Sequence, residues 1–250
     1  MKKLWTNRIL ALAALCGLAA CTVGTQPAAF TWENASIERN EANCAIKMTY
    51  PVAKGGGAAA DSVNELVARM LTAGFDEQDA EMKGYTVARA VDSLVAQKGR
   101  SEVVAHIPYE LMSDWSVYQR GALSSLYLEN YAFTGGAHGM TIGSFLNFEG
   151  TCPTPLTLVQ MFTDTTRLAE LNRAAFAEFL KTRGGEEEVG MYLFVQPDAL
   201  PLPMNVGFDS TGVVMLYNQY EIAAYVFGQS RYTLPWAEVE PILGKAVQGK

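Results

Sequence analysis

Residues 123–133 read LSSLYLENYAF, residues 134–139 read TGGAHG, and residues 140–148 read MTIGSFLNF. Two runs rich in aromatic and β-branched residues flank a short segment holding three glycines. That pattern predicts an antiparallel hairpin. The reversal needs backbone with positive φ, which glycine adopts without the Cβ clash of other residues, so Gly135 and Gly136 are the expected turning points. A second hairpin follows at Val206–Phe208 and Val213–Tyr217, around the turn Asp209-Ser210-Thr211-Gly212. Tyr232–Leu234 reads as a further short strand. Upstream, Ser36–Tyr50 reads as one strand or a hairpin, and Val103–Ile107 and Trp115–Gln119 read as strands.

Helices sit between these runs. Val63, Leu66, Val67, Met70 and Leu71 fall on one helical face, behind Asp61 as N-cap and before Gly74 as stop. A second helix is expected over Val87–Gln97, ending at Gly99. A third starts after Asp164 or Thr165, turns Leu168, Leu171, Ala175 and Phe179 inward, and stops at Gly184-Gly185. Pro197–Pro203 cannot be a central strand, and Pro235 starts a last helix. Strands and helices do not alternate regularly. The fold class is therefore α+β: two packed units, each a mainly antiparallel sheet with helices.

The first twenty residues read as an address. Lys2, Lys3 and Arg8 precede an apolar run, Ile9–Ala20, that is too short to span a bilayer comfortably. Leu18-Ala19-Ala20-Cys21 closes it and resembles the bacterial lipobox, which implies a lipid on Cys21 and a membrane anchor there. Thr22, where inner-membrane lipoproteins carry Asp, points to the outer membrane facing the periplasm. The organisation reads as signal peptide 1–20, tether 21–35, an N-terminal domain 36–120 and a C-terminal domain 121–250.

Length and composition set the limits. The chain has 250 residues, 49% hydrophobic and 18% charged, enough for a core that needs no metal to hold it. Without Lys2, Lys3 and Arg8, 16 basic residues face 26 acidic ones, a net −10. Such a surface attracts cationic partners and disfavours nucleic acid. Of the four cysteines, Cys16 leaves with the signal and Cys21 carries lipid. Cys44 and Cys152 remain in an oxidising compartment and are expected to form a disulfide, the alternative being two buried thiols. No cofactor motif is present: there is no P-loop, G-x-G-x-x-G, H-E-x-x-H or G-x-S-x-G.

Several motifs recur in a familiar order. Y-A-F-T-G-G-A-H-G at Tyr131–Gly139 is followed by N-F-E-G at Asn147–Gly150 and L-T-L-V-Q-M-F at Leu156–Phe162. G-V-V-M-L-Y-N-Q-Y-E-I-A-A-Y-V-F-G at Gly212–Gly228 and L-P-W at Leu234–Trp236 complete the series. The stretch resembles the extracellular domain of the RsiV anti-sigma-factor family, also found in lipoproteins. Tyr50-Pro51, the glycine loop behind it and the Asp61–Ala73 helix resemble the smaller domain that precedes it there and in the PdaC peptidoglycan deacetylase family. The resemblance implies an α+β fold and an extracytoplasmic binding role, with a lysozyme-like cationic protein or a cell-wall glycan as partner. No sigma-binding segment, spanning helix or catalytic deacetylase domain is read in these residues, so neither anti-sigma nor deacetylase activity is expected to carry over. The expectation is a non-enzymatic envelope lipoprotein. The alternative is an enzyme acting on peptidoglycan or a related glycan through carboxylates that the sequence does not pair.

Candidate binding residues are Gly135, Gly136, His138, Tyr220 and Glu221. His138 either stands beside an anion nest of glycine N–H groups or caps a tight turn. Glu221 either is held by the hydroxyls of Tyr220 and Tyr225 or forms the polar side of a strand. His106 reads as core or strand edge, Glu186-Glu187-Glu188 as a solvated loop. Mass spectrometry of the exported protein should find Cys21 as the lipid-bearing first residue; an unmodified N-terminus elsewhere overturns that reading.

Overall fold

The computed structural model describes residues 29–73 and 84–248. The expected signal peptide, Cys21 and the expected stop at Gly74 lie outside them. Ala42 and Asn43, at φ 50° and 60°, form a two-residue turn between β1 (Thr31–Glu41) and β2 (Cys44–Lys54). The chain then crosses over through α1 (Ala58–Thr72) and α2 (Val87–Arg100) and returns as β3 (Tyr109–Arg120), parallel to the first half of β2. Antiparallel strands β4 (Leu123–Phe133) and β5 (Met140–Glu149) complete a sheet of order β1-β2-β3-β4-β5. The chain position 120–121, read as a domain boundary, lies at the β3–β4 turn inside this sheet.

Both helices pack on one face. Val63, Val67 and Leu71 of α1 and Val91 and Leu94 of α2 join Ile46, Met48, Leu111, Leu126, Leu128 and Phe148 in one core. Helix α1 begins earlier than its acidic residue suggests: Gly57 is its N-cap and Asp61 lies in the first turn. Helix α2 runs through Gly99 to Arg100, with the Thr86 hydroxyl accepting from Arg89 N.

The opposite face of β4 and β5 carries the second unit. Here α3 (Leu158–Met161), α4 (Thr165–Lys181) and α5 (Glu186–Val189) precede a second sheet, β6 (Asn205–Phe208), β7 (Gly212–Tyr217) and β8 (Ser230–Pro235), and then α6 (Trp236–Val239). Asp164 caps α4 by accepting from Arg167 N at 2.8 Å. Leu168, Leu171, Phe176 and Leu180 are its buried side. The interior of this unit holds a polar knot. Tyr232 donates to Asn172 Oδ1 at 2.8 Å, and Asn172 Nδ2 donates to Tyr217 Oη at 2.7 Å. Burial pushes the Tyr217 hydroxyl up to about 12. The knot therefore stays protonated and satisfied in an otherwise apolar cluster.

Two further expectations are overturned, each for a geometric reason. Residues 103–107 form turns, not a strand. Lys98, 2% exposed, projects its ammonium from α2 and donates to the carbonyls of Val104 (2.9 Å), Ala105 (3.3 Å) and Ile107 (2.5 Å). Three carbonyls gathered on one cation cannot join a ladder. His106 is consequently exposed in this turn segment, neither core nor strand edge, and its carbonyl accepts from Asn43 Nδ2.

Cys44 does not pair with Cys152. It is a free, buried thiol that contacts Ala42 O at 3.8 Å, while Cys152 is engaged elsewhere. Cys44 lies level with Tyr109, and Cys152 follows Glu149, which lies level with Leu123 and Arg120. The length of β3 separates those levels, roughly 35 Å at about 3.3 Å per residue. A disulfide tolerates about 7 Å between Cα atoms.

Lys98→Met should cost about 2–3 kcal/mol in urea unfolding, because it strips three carbonyls of their donor while keeping most of the buried stem. An unchanged midpoint would show that water replaces the ammonium.

Candidate functional site

The β4–β5 turn meets the second unit at its tip. Gly135 and Gly136 have φ of 92° and 112°, so both glycines perform the reversal expected of them. The two consecutive positive values turn the chain; they do not alternate as in an anion nest. His138 thereby projects toward the loop after β7. It stacks on Tyr225 with ring centroids 3.8 Å apart. Its Nδ1 lies 2.9 Å from Gly139 O, a pure acceptor, so Nδ1 carries the proton. Its Nε2 then accepts from the Tyr220 hydroxyl at 3.3 Å. Tyr225 also donates to Gly139 O, at 2.8 Å.

What holds that loop is Asn218. Its Oδ1 accepts from Gly143 N at 2.8 Å and its Nδ2 donates to Gly143 O at 2.9 Å, so the side-chain amide pairs with the edge of β5 as a strand residue would. Gln229 Nε2 donates to the same Oδ1, and Thr141 N donates to Gln219 Oε1. The approach requires glycine: a Cβ on Gly143 would lie 2.7 Å from Leu216 and 2.9 Å from the Tyr127 hydroxyl.

Glu221 is not held by tyrosine hydroxyls. Its Oε2 accepts from Asn218 N at 2.8 Å, closing the turn in which Tyr220 sits. Burial raises its carboxyl above the usual range, and the N–H groups of Asn218 and Met204 oppose that shift. Glu221 is thus a brace for the loop. Tyr220 is the exposed product of the brace, at φ 66° and 48% exposure. A non-glycine residue in that region costs about 1 kcal/mol or more.

The sequence reading missed the neighbouring apolar surface. Leu193 bridges Ala223, Phe194 N donates to Ile222 O, and Ala224 N donates to Tyr192 O. Leu193 and Ala223 turn inward, which forces Tyr192 and Phe194 outward. Met191 is 82%, Phe194 59% and Val226 73% exposed. Glu186, Glu187 and Glu188, a short helix and not a loop, directly precede this segment. The sequence held no signal for it: Tyr192-Leu193-Phe194-Val195 is an unbroken apolar run, and the alternation of exposed and half-buried residues from 192 to 196 appears only in the structure.

Two open depressions mark the surface. An open depression of about 490 Å³ is lined by Tyr50, Asp61, Asn64 and Glu65. A second, of about 540 Å³, is lined by Arg173, Glu186 and Asp198. Neither contains His138. Among the described residues no three His, Cys, Asp or Glu side chains gather into a metal site. No helix among them is long and apolar enough to cross a membrane.

Comparison with known proteins follows the two units. Residues 37–141 match the family described as Deacetylase PdaC. Residues 160–237 match the family described as Protein of unknown function (DUF3298). The chain carries a PdaC domain followed by a DUF3298 domain, the order its motifs suggested. No curated protein matches it. A crystal structure of a DUF3298 family member from Bacteroides fragilis is similar at TM-score 0.59 and 20% identity, over 88% of this chain and 96% of that one. One of a DUF3298 family protein from Pseudomonas aeruginosa is similar at TM-score 0.60 and 17% identity, over 91% and 98%. At those identities the likeness establishes the fold.

Tyr220→Gly should leave the thermal midpoint unchanged or raise it, since relief of the left-handed backbone offsets the lost ring contacts. A marked drop would show that the ring supports the fold. His138→Ala, at an exposed position, should also leave the fold intact.

Proposed function

We propose that the chain is a binding protein of the bacterial cell envelope, anchored by lipid at Cys21, whose second unit receives a cationic protein of the lysozyme kind. One observation carries this reading. Met191, Tyr192, Phe194 and Val226 expose apolar side chains together on two bridged segments, beside the His138–Tyr225 stack and the strained Tyr220. Scattered exposed apolar residues are ordinary, whereas a contiguous group on a braced surface marks an interaction site. Tyrosines held rigid in such a setting lose little freedom on binding and can carry most of the energy. The three glutamates at 186–188 put negative charge beside the patch, and the chain as a whole is acidic. The resemblance to the RsiV family supplies the partner class, and the surface supplies its chemistry: basic rim, apolar centre.

Catalysis on a glycan is the second reading, and it too rests on one observation. Asp114 and Glu129 are direct cross-strand partners on β3 and β4. Facing residues have Cβ atoms about 5 Å apart, and like charges so placed repel. Each is held by a hydroxyl: Thr49 donates to Asp114 Oδ1 at 3.1 Å, and Tyr127 donates to Glu129 Oε2 at 2.6 Å. Burial and the Glu129 carboxylate keep the Tyr127 hydroxyl protonated, well above the usual phenol range. Glycoside hydrolysis uses two carboxyl groups held about 5–10 Å apart, and a facing Asp–Glu pair supplies that residue type. They lie on an open sheet face, which favours the binding reading.

Calorimetry with a cationic lysozyme at low and at physiological salt tests the proposal. Binding at tens of micromolar or tighter is expected, with an association rate that falls as salt rises. Replacing Met191 and Phe194 by Ser should weaken it at least tenfold. No binding under either condition overturns lysozyme as partner. Turnover of peptidoglycan fragments that Glu129→Gln abolishes would replace binding by catalysis.

A further inference from the structure

The two edges of the five-stranded sheet are treated differently. The β5 edge is closed by Asn218 and Gln219 of the second unit. The β1 edge is eleven residues long, contains neither proline nor glycine, and no described residue pairs with its outer side. Long unprotected edges are templates for pairing, and soluble proteins usually blunt them.

The groups on offer follow from the turn. Ala42 and Asn43 form a two-residue turn, so Glu41 and Cys44 exchange backbone hydrogen bonds and every odd residue of β1 points its N–H and C=O at β2. The even residues, Trp32, Asn34, Ser36, Glu38 and Asn40, present theirs outward. Of these outward groups one is taken among the described residues: Glu38 O accepts from Arg39 Nη1 at 3.0 Å.

We propose that β1 pairs antiparallel with β1 of a second copy of this chain, about a two-fold axis at Ser36, joining two five-stranded sheets into one. The occupant is a second copy because the edge is complementary to itself. When all eleven residues overlap, Thr31 faces Glu41 of the second copy and Ser36 faces Ser36. In that register Glu33 faces Arg39 of the second copy, once on each side of the axis, in pairs whose side chains stand closest. Antiparallel pairing allows register shifts of two residues only, because even must face even. A shift of two in one direction sets Glu33 against Glu41 on both sides. A shift of two in the other sets Glu33 against Ile37 and shortens the overlap. Full overlap and opposite charge thus select the same register. Glu33 and Arg39 now make exposed ion pairs with Lys54 (3.5 Å) and Asp92 (3.2 Å). Such pairs contribute little and exchange readily. In the pair, Glu38 O, now held by Arg39, would instead accept the backbone N–H of Asn34 of the second copy.

Sedimentation velocity of the purified protein from about 1 to 100 µM reads the association. A concentration-dependent dimer is expected. Ser36→Pro removes the outward N–H donor on the axis without touching a bond to β2, so it should weaken the dimer at least tenfold with an unchanged circular dichroism melt. Glu33→Arg, which sets Arg against Arg twice, should weaken it roughly tenfold. Ser36→Cys should give a disulfide-linked dimer under mild oxidation, because facing residues on the axis have Cα atoms about 5.5 Å apart. A monomer at every concentration overturns the proposal, and would leave the edge to a different chain. A dimer that Ser36→Pro leaves intact, or that Ser36→Cys does not cross-link, overturns it equally.

Discussion

The structure turns on an amide that imitates a strand. Asn218 reaches from the loop after β7 and satisfies both polar groups of Gly143 on the rim of β5. Deeper in the same seam, Ser125 Oγ donates to Asn147 Oδ1 at 2.7 Å, Asn147 Nδ2 donates to Val206 O at 2.8 Å, and Phe208 N donates to Ser125 Oγ at 2.8 Å. Each bond adds only about 1 kcal/mol net, yet orphaning any of these buried groups would cost more. They therefore select one docking of the second unit against all shifted ones. Close approach is the condition. A Cβ on Gly207 would collide with the Phe145 ring, and one on Gly143 with Leu216 and Tyr127. Two glycines and two asparagines, far apart in sequence, encode a single contact.

This contact explains why the candidate site is where it is. Fixing Asn218 fixes the next residues, and Glu221 locks the turn from the other side by accepting Asn218 N. Tyr220 is left with a left-handed backbone and an exposed ring. The β4–β5 turn, with its glycines, brings His138 up to meet it. The loops are consequently tied down at several points although they lie at the surface. Surface loops that are over-determined in this way suit recognition, since little order must be gained on binding.

How much of this could be read from residues alone depended on how local each signal was. The β4–β5 hairpin, the Asp164 cap and the β6–β7 hairpin rest on neighbours within a few residues, and they stand as expected. Val103–Ile107 looked like a strand by composition, but its fate was set by Lys98, whose buried ammonium no periodicity announces. Cys44 and Cys152 looked like a pair by elimination, and the sheet register put them at opposite ends. Glu221 was singled out, but its partner is a backbone N–H three residues back, not a tyrosine hydroxyl. The apolar surface at Met191 and Phe194 was illegible because its outward direction comes from the Leu193–Ala223 bridge, a contact across thirty residues.

The open sheet face and the two edges complete the logic of the first unit. Helices α1 and α2 cover one face, and the second unit covers β4, β5 and the end of β3 on the other, where Tyr118 meets Trp236 and Arg120 pairs with Glu240. What remains uncovered is mainly polar: Lys47, Asp114 and Ser116 on the face, with Met112 the exposed apolar exception, and Glu33, Glu38, Arg39 and Glu41 along β1. A hydrophobic surface there would aggregate. A single-sign surface would repel its own copy everywhere. An edge carrying one Arg among three Glu does neither, because attraction survives only in the register that brings Glu33 to Arg39. Charge at this edge thus acts less as a barrier to pairing than as a filter on which pairing is allowed.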